Sequence, residues 1–365
     1  KLSLPDAVYP ANSAEELAKV VDGAKDHKQS SITVYCRTPE DLFKELVAKN
    51  YEPGAVIVKN GVIAGFSCRW SSVQVAVKSL DAIDIEDAAQ PTPEVMYEKL
   101  STYLAYTNQM RAAVCGRATL SYYGEGVRTL FVCNARAPRV GLLSVSDSKR
   151  NLPREVTGID FCRAYTSIMN EVDAWPVLSA FDVLRAYDGS DIVPQAFYLA
   201  ETEIDGILFD CRRSLVTGYT VLYAQSAGIT VDVKASLVPH MYVPNSAPAI
   251  IESLYKDAKV THTIKKAIMN VTYGMANRSE NHREWFTCCQ NEEEAYIIAH
   301  EDETIVGLRG LYFIHQVKAR QLLNGHLPIG HTILDRMRVK LHALVSSIGE
   351  LVPIAVRTDC VYVSA

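Results

Sequence analysis

Three short segments of this 365-residue sequence combine acidic, basic and aromatic residues, and they lie far apart along the chain. Their central residues are Asp160, Lys266 and Asp359, separated by 106 and 93 residues. Asp160 follows a glycine-led apolar stretch and is expected at a strand end, Lys266 lies in a helical pattern, and Asp359 follows a long amphipathic helix in a strand or hairpin. For these side chains to act together, the fold must join strand ends to a helix. We therefore predict an α+β fold.

Composition and charge exclude several classes of protein. Hydrophobic residues make up 48% of the sequence and charged residues 22%, as in globular domains, so the chain is neither disordered nor fibrous. No apolar run reaches the ~18–20 residues of a membrane-spanning helix. The net charge of −5 gives no general attraction to nucleic acid, so such a role would depend on local basic clusters. The nine scattered cysteines contain no C-x-x-C pair and indicate free thiols in an intracellular, reducing compartment.

The hydrophobic pattern divides the sequence into two parts. Residues 1–150 are predicted to form an N-terminal α+β domain, which ends near the polar, proline-containing stretch 145–157. In the first part we predict strands at 31–36, 54–70, 72–80, 128–135 and 139–146, with Asn60-Gly61 as a hairpin turn, and helices at 38–49 and 92–110. In residues 151–365 we predict a strand leading into a helix at 158–169, strand pairs at 195–210 and 218–233, a helical region at 246–278, strands around 295–315, a long helix at 331–351 and a final strand at 353–363.

The three segments resemble motifs A, B and C of the family B DNA polymerases, most closely the protein-primed group of viruses and linear plasmids. The family patterns are roughly D-x-x-S-L-Y-P-S, K-x-x-x-N-S-x-Y-G and Y-x-D-T-D-S, and the segments that resemble them here are 160–168, 266–274 and 357–362. The resemblance covers residues 160–365. It implies a polymerase palm, in which helices back an antiparallel sheet, with helical fingers at about 246–278.

The resemblance also implies the chemistry of the site. Nucleotidyl transfer uses two divalent metals, which activate a 3′-hydroxyl and support the departing pyrophosphate. Asp160 and Asp359 are the implied catalytic metal ligands for two Mg²⁺ ions, which Mn²⁺ could replace. Lys266 would bind the triphosphate from its helix.

Further residues of the motifs are implied to select and hold the nucleotide. Tyr165 lies where the family has the tyrosine that stacks under the sugar and excludes a 2′-hydroxyl. Lys266, Asn270 and Tyr273 are spaced i, i+4 and i+7 and would share one helix face. Asn270, Tyr273 and Gly274 lie where the family holds the nascent base pair, and two arginines just past motif B, Arg278 and Arg283, are expected to contact template phosphates.

The N-terminal domain stands at the position of the family's 3′–5′ exonuclease. That activity needs a D-x-E motif and two further carboxylate motifs, of which only Asp84-Ile85-Glu86 is present before residue 150. We therefore predict no working proofreading site. No thumb follows Asp359, which is six residues from the end of the sequence, so we expect a longer protein, a second chain that supplies the thumb, or a core that is not active alone.

The sequence departs from the family at several positions, and these departures leave alternatives open. Arg357 and Cys360 replace an aspartate and a serine of motif C, Thr166 replaces the proline of motif A, and Val271 replaces the serine of motif B. A cation at position 357 would repel Mg²⁺. If Arg357 pairs with Asp160, catalysis is not expected.

Our first hypothesis is a template-directed DNA polymerase of a virus or mobile element. Its partners would be a DNA template-primer, dNTPs and a terminal protein primer or other replication or virion subunits, without a membrane, in the host cytoplasm or nucleus or in a virion. The alternative is a catalytically decayed polymerase-fold subunit with a structural or nucleic-acid-binding role in a viral complex. An unrelated α+β protein is the third hypothesis, and a sheet that keeps residues 160 and 359 apart would establish it.

Overall fold

The contacts of the chain define two compact units, both discontinuous in sequence. Unit 1 comprises Lys1–Asn108, Ala258–Ile264 and Glu280–Gln321, and unit 2 comprises Gln109–Asp257, Lys265–Ser279 and Leu322–Ala365. The predicted boundary near residue 150 lies outside the described residues. The structure, a computed structural model, describes residues 8–49, 51, 53–59, 62–80, 93–115, 123–134, 140–142, 156–204, 206–209, 211–278, 280–289, 291–300, 303–308, 311–321, 326–349 and 352–364.

The first sequence segment of unit 1, Lys1–Asn108, contributes a five-stranded mixed sheet and the two helices α1 (Ala14–Asp26) and α2 (Pro39–Ala48). The strand order is β1-β2-β5-β4-β3, in which β1, β2 and β5 are parallel neighbours and β5, β4 and β3 form an antiparallel meander. The hairpin predicted at 54–70 is confirmed, although its turn at Asn60-Gly61 lies outside the described residues. The strands are β1 (Val8–Pro10), β2 (Ser31–Cys36), β3 (Pro53–Lys59), β4 (Val62–Trp70) and β5 (Val73–Ser79).

Local sequence explains where the two helices that pack with this sheet begin. Helix α1 (Ala14–Asp26) begins after Ser13, whose side chain accepts a hydrogen bond from the Glu16 N–H. Helix α2 (Pro39–Ala48) begins with a proline, which suits the first turn because its missing N–H has no partner there in any case. Their apolar faces pack into the core of unit 1 with the strands.

The rest of unit 1 is a three-stranded antiparallel sheet and further helical segments. The sheet has the order β14-β16-β15 and consists of β14 (Glu280–Cys289), β15 (Thr304–Leu308) and β16 (Leu311–Gln321). Helix α9 (Glu292–Ile298) precedes β15, so the strands predicted around 295–315 begin only after it. The boundary between the units falls within two helices, α3 (Pro93–Cys115) and α8 (His262–Ala276).

Unit 2 contains the sheet that carries the two aspartates. This antiparallel sheet has the order β6-β17-β18-β7. A second antiparallel sheet has the order β11-β10-β12-β9, and β13 pairs with β8. The strands are β6 (Val140–Leu142), β7 (Thr157–Asp160), β8 (Ala174–Val177), β9 (Arg185–Ala186), β10 (Phe197–Glu201), β11 (Arg213–Thr217), β12 (Asp232–Leu237), β13 (Met241–Pro244), β17 (Val352–Arg357) and β18 (Cys360–Ser364).

The described part of unit 2 contains the end of α3, most of α8 and five helices that begin within it. Helix α10 (Leu327–Ser347) runs through the interior, and its buried residues include His331, Asp335 and Arg338. Asp335 accepts hydrogen bonds from the Thr217 N–H (2.6 Å) and the Thr220 hydroxyl (3.1 Å), which provide partners for its buried carboxyl group. The other four of these five helices are α4 (Glu125–Cys133), α5 (Ala164–Glu171), α6 (Gly218–Ser226) and α7 (Ala247–Lys256).

Three of the predicted strands are wrong. Residues 128–135 fall mostly in helix α4, because Val127 and Phe131 are spaced i, i+4 and bury one helix face. Residues 218–226 form helix α6, which starts where Asp335 binds the end of β11. In the pair predicted at 195–210 only β10 forms, and its partner is β11.

The described residues bear on two predictions from composition, concerning membrane-spanning helices and the state of the cysteines. None of the helices there combines the length and apolar character needed to cross a membrane. The eight cysteines whose side chains are described are free thiols.

Candidate active site

Strand pairing brings Asp160 and Asp359 together. Asp160 ends β7 and lies directly opposite Cys360 on β18. Asp359 lies in the two-residue turn between β17 and β18, where Thr358 has a left-handed φ of 59°. The Phe161 N–H donates a hydrogen bond to the Asp359 carbonyl (3.0 Å), which fixes the turn against the end of β7. The criterion for the unrelated-protein hypothesis, a sheet that separates these residues, is therefore not met.

The two carboxylates influence each other electrostatically. Burial, followed by the negative charge of Asp160, raises the pKa of Asp359, and the cationic Lys266 opposes this shift. Burial and the Asp160 charge also raise the pKa of the Cys360 thiol. Two carboxylates and a lysine from three distant segments thus lie within electrostatic range of one another.

The two carboxylates are suited to a metal ion that would take its remaining ligands from a bound substrate. Among the described residues, no group of three or more His, Cys, Asp or Glu side chains could hold a metal by itself. Mg²⁺ usually binds one or two protein carboxylates together with phosphate oxygens and water. Asp160 and Asp359 fit that pattern, because they provide the carboxylates and leave the remaining positions to a ligand.

Two tyrosines from different segments stack beside the aspartates. The rings of Tyr165 on α5 and Tyr273 on α8 have centroids 4.1 Å apart and an interplanar angle of 11°. Burial, followed by the neighbouring Tyr273 and Asp359, raises the pKa of Tyr165, so its hydroxyl stays neutral. This stack joins the predicted motif A to the predicted motif B.

Helix α8 presents the rest of motif B on one side. Lys266 and Asn270 are exposed, and the half-buried Tyr273 follows at the predicted i+7 position. Gly274 lies within the helix, and a Cβ there would meet no atom within 4 Å. The described protein therefore leaves open space at Gly274.

Other lysines near α8 in sequence already have partners. Lys265 donates a hydrogen bond to the Tyr255 carbonyl (3.1 Å), and Lys256 pairs with Glu252 (2.6 Å). Lys259, in unit 1, lies 3.8 Å from Glu98. Lys266 makes no ion pair within the described part of the chain, so its charge is available to an anionic ligand.

Arg357 lies close to the aspartates but does not neutralise them. It ends β17 opposite Cys360, which is itself opposite Asp160, so the three side chains share one face of the sheet. Adjacent strands are about 4.8 Å apart, which places Arg357 two strand spacings from Asp160. No ion pair joins Arg357 to Asp160 or Asp359 among the residues that the structure describes. The predicted condition for lost catalysis, an Arg357–Asp160 pair, is not observed.

Sequence analysis missed an aromatic contact beside the site. Arg163 precedes α5 in a left-handed conformation (φ 57°), and its guanidinium carbon lies 4.1 Å from the ring centroid of Tyr255 on α7. A cleft of about 600 Å³ runs between α5 and α7 next to this contact. The only sequence signal was the arginine itself, which replaces the serine of motif A, since nothing distinguished Tyr255 within its helical pattern.

Some predicted residues are not tested by the structure. Arg278 is exposed after α8 in unit 2, whereas Arg283 lies in β14 of unit 1 and its side chain is outside the described set. Asp84-Ile85-Glu86 also lies outside the described residues. The predicted phosphate contacts and the predicted absence of a proofreading site stay predictions.

The fold of this chain is similar to that of solved structures, although its sequence matches no known family. No protein-family model matches the sequence, and no curated protein matches it. The structure is similar to the Phi29 DNA polymerase complexed with primer-template DNA and incoming nucleotide substrates, with a TM-score of 0.55 and 10% identity over 97% of this chain and 74% of that chain. The same polymerase complexed with single-stranded DNA (TM-score 0.55, 9% identity) and in an orthorhombic crystal form (TM-score 0.55, 8% identity) matches over the same shares of both chains. The polymerase fold predicted from the three motifs is thereby confirmed, with a sequence that has diverged widely.

Proposed function

We propose that this chain is a template-directed DNA polymerase of a virus or mobile element, which transfers deoxynucleotides by a two-metal mechanism. The observation that carries the proposal is the convergence of Asp160, Asp359 and Lys266 from three distant segments. The stacked pair of Tyr165 and Tyr273 borders the same site. The similarity to Phi29 DNA polymerase supports the proposal at the level of the fold.

In this proposal Asp160 and Asp359 hold two Mg²⁺ ions, or Mn²⁺ in their place, together with phosphate oxygens of the nucleotide. When bound, the ions supply activation of the primer 3′-hydroxyl and stabilisation of the leaving pyrophosphate. The raised pKa of Asp359 supports this role, because burial and the nearby charge of Asp160 make its ionised form less favourable, and a bound cation would offset that effect.

The remaining side chains would bind and orient the nucleotide. Lys266, exposed on α8, would meet the negative charge of the triphosphate. Tyr165, held flat against Tyr273, would pack under the sugar and exclude a 2′-hydroxyl. Asn270, Tyr273 and Gly274 would border the nascent base pair, which can approach closely at Gly274 because no side chain occupies that space.

The same proposal assigns elements of the fold to the palm and fingers of a polymerase. The sheet β6-β17-β18-β7 with α5 and α10 would be the palm, and α7 and α8 the helical fingers. Template-primer DNA and dNTPs are the proposed substrates, since the Phi29 polymerase was solved with primer-template DNA and nucleotides. Arg278 and Arg283 would contact template phosphates, which would make binding salt-dependent. A terminal protein primer or other replication or virion subunits are the proposed partners.

Primer extension with Mg²⁺ or Mn²⁺ tests the proposal. We expect the native chain to incorporate dNTPs and Asp359→Asn to lose at least about 100-fold in rate, because the substitution removes a metal-binding charge while keeping the shape of the side chain. Asp191→Asn is the matched control, since Asp191 is an exposed aspartate in another loop of unit 2, and its rate should equal that of the native chain. A folded native chain that extends no DNA, RNA or protein primer would instead support a catalytically decayed subunit.

A further inference from the structure

Two cations converge on one aromatic ring in unit 2, next to the proposed active site. The guanidinium carbon of Arg163 lies 4.1 Å from the ring centroid of Tyr255. The Lys265 ammonium lies 5.9 Å from the same centroid and donates a hydrogen bond to the Tyr255 backbone carbonyl (3.1 Å). Tyr255 is half-buried near the end of α7. Tyr255 therefore contacts residues from two different segments, Arg163 through its ring and Lys265 through its backbone carbonyl, with the Lys265 ammonium also within cation–π range of the ring.

Arg163 and Lys265 are close in sequence to residues that the proposed reaction needs. Arg163 lies between Asp160 and Tyr165, in the turn that joins β7 to α5. Lys265 immediately precedes Lys266 on α8. A fixed Tyr255 thus restrains both the turn after the first aspartate and the helical turn that carries the triphosphate-binding lysine.

The backbone of the turn indicates that it needs such a restraint. Arg163 has φ 57° and ψ 44°, a left-handed conformation that is unfavourable for a residue with a Cβ. Residues keep such conformations only where the surroundings hold them. The contact of the Arg163 side chain with the Tyr255 ring provides a hold of this kind.

An aromatic ring suits this position better than a carboxylate would. A carboxylate between Arg163 and Lys265 would neutralise their charge and compete with Asp160 and Asp359 for a divalent cation. A π face attracts both cations and leaves their positive charge in place. The site consequently keeps a positive field toward an anionic nucleotide.

We propose that Tyr255 is a positioning residue, which holds Arg163 and Lys265 in one cation–π cluster and so sets Lys266 relative to Asp160. This inference rests on the proposed polymerase function for its kinetic consequence. Its structural consequence, restraint of residues 161–165 and 262–268, does not depend on activity.

The kinetic test compares two variants at Tyr255 with a matched control. We expect Tyr255→Leu to lower kcat/KM for a dNTP by about 3- to 30-fold, mainly through a higher KM, as loss of the cation–π attraction implies. Tyr255→Phe keeps the ring and should stay within about twofold of the native chain. Tyr219→Leu is the control, because the Tyr219 ring has a similar contact with the Arg336 guanidinium (4.3 Å) elsewhere in unit 2. It should leave the KM for dNTP unchanged.

Hydrogen–deuterium exchange separates this inference from the proposed function. We expect amides in 161–165 and 262–268 to exchange faster in Tyr255→Leu than in the native chain, Tyr255→Phe or Tyr219→Leu. If the native chain extends no primer, the proposed function fails and the exchange result alone decides the positioning role. Native exchange rates in a folded Tyr255→Leu chain would overturn the inference, as would a native KM and kcat in an active one.

Discussion

The surroundings of Asp359 in the folded chain make ionisation of its carboxyl group less favourable. Burial and the charge of Asp160 raise the pKa of its carboxyl, with Lys266 opposing. The ionised form is therefore less favourable in the folded than in the unfolded state. By linkage, this cost is fully present above the folded-state pKa and disappears as the pH falls below the unfolded-state pKa. Binding of a divalent cation would remove the cost at neutral pH.

At the scale of this residue we predict that Asp359→Asn raises the thermal midpoint at pH 7 by a few degrees in the presence of EDTA. The gain should shrink as the pH is lowered toward the pKa of Asp359. Mg²⁺ together with a dNTP should raise the midpoint of the native chain and not that of the variant. Scanning calorimetry from about pH 3.5, just below the usual pKa of an aspartate, to about pH 8 measures both effects, with Asp191→Asn as the control. A lower midpoint for Asp359→Asn at pH 7 would contradict the assignment.

At the scale of elements, the sequence was informative where a motif and a local pattern agree. The strand that ends at Asp160 and the helix that carries Lys266 were predicted, because each combines an apolar pattern with a distinctive polar residue. Of the strand or hairpin predicted around Asp359 the hairpin forms, so the single strand predicted at 353–363 is divided into β17 and β18. Residues 218–226 were not, because tertiary contacts decide their conformation. A Cβ at Gly218 would lie 2.0 Å from the Val193 carbonyl oxygen, a close approach that no periodicity indicates.

A second close approach holds α10 against the end of α8. A Cβ at Gly330 would lie 2.8 Å from both the Ala276 carbonyl oxygen and the Asn277 Cα. We predict that Gly330→Ala destabilises the chain by about 1–3 kcal/mol, because backbone atoms must move to admit the methyl group. Since α8 carries Lys266 and Tyr273, primer extension should also slow.

The matched control for this prediction is another helical glycine of unit 2. Gly126 lies in α4, where a Cβ would meet no atom within 4 Å. Gly126→Ala should be neutral or stabilise the chain by up to about 1 kcal/mol, through lower entropy of the unfolded state. Urea unfolding measures both variants, and equal midpoints for the two would refute a tight α10–α8 contact.

At the scale of the whole molecule, sequence analysis did not show that the units are discontinuous. Phe313, from the sheet β14-β16-β15, packs against Phe43 with ring centroids 5.8 Å apart and joins the same core cluster. Such a contact depends on the path of the chain across 270 residues, and hydrophobic periodicity reports only local faces. Likewise, α4 and β6 precede residue 150 but belong to unit 2.

This organisation predicts the behaviour of a chain cut at the sequence-derived boundary. A fragment of residues 151–365 would keep Phe313 without its core partners in unit 1 and would lack Val127 and Phe131 of unit 2. We expect it to bind the dye ANS and to unfold without a cooperative transition, because apolar surface from both cores is exposed.

The control is Phe313→Ala in the full chain, which removes one core contact and leaves every segment present. It should lose about 3–5 kcal/mol of stability, the usual cost of truncating a buried phenylalanine, and still unfold cooperatively. Near-UV circular dichroism and ANS fluorescence compare the two. A fragment 151–365 with a cooperative transition and no ANS binding would mean that the two units can be separated at residue 150. In that case the contact between Phe313 and Phe43 would contribute little to the stability of the part that carries Asp160 and Asp359.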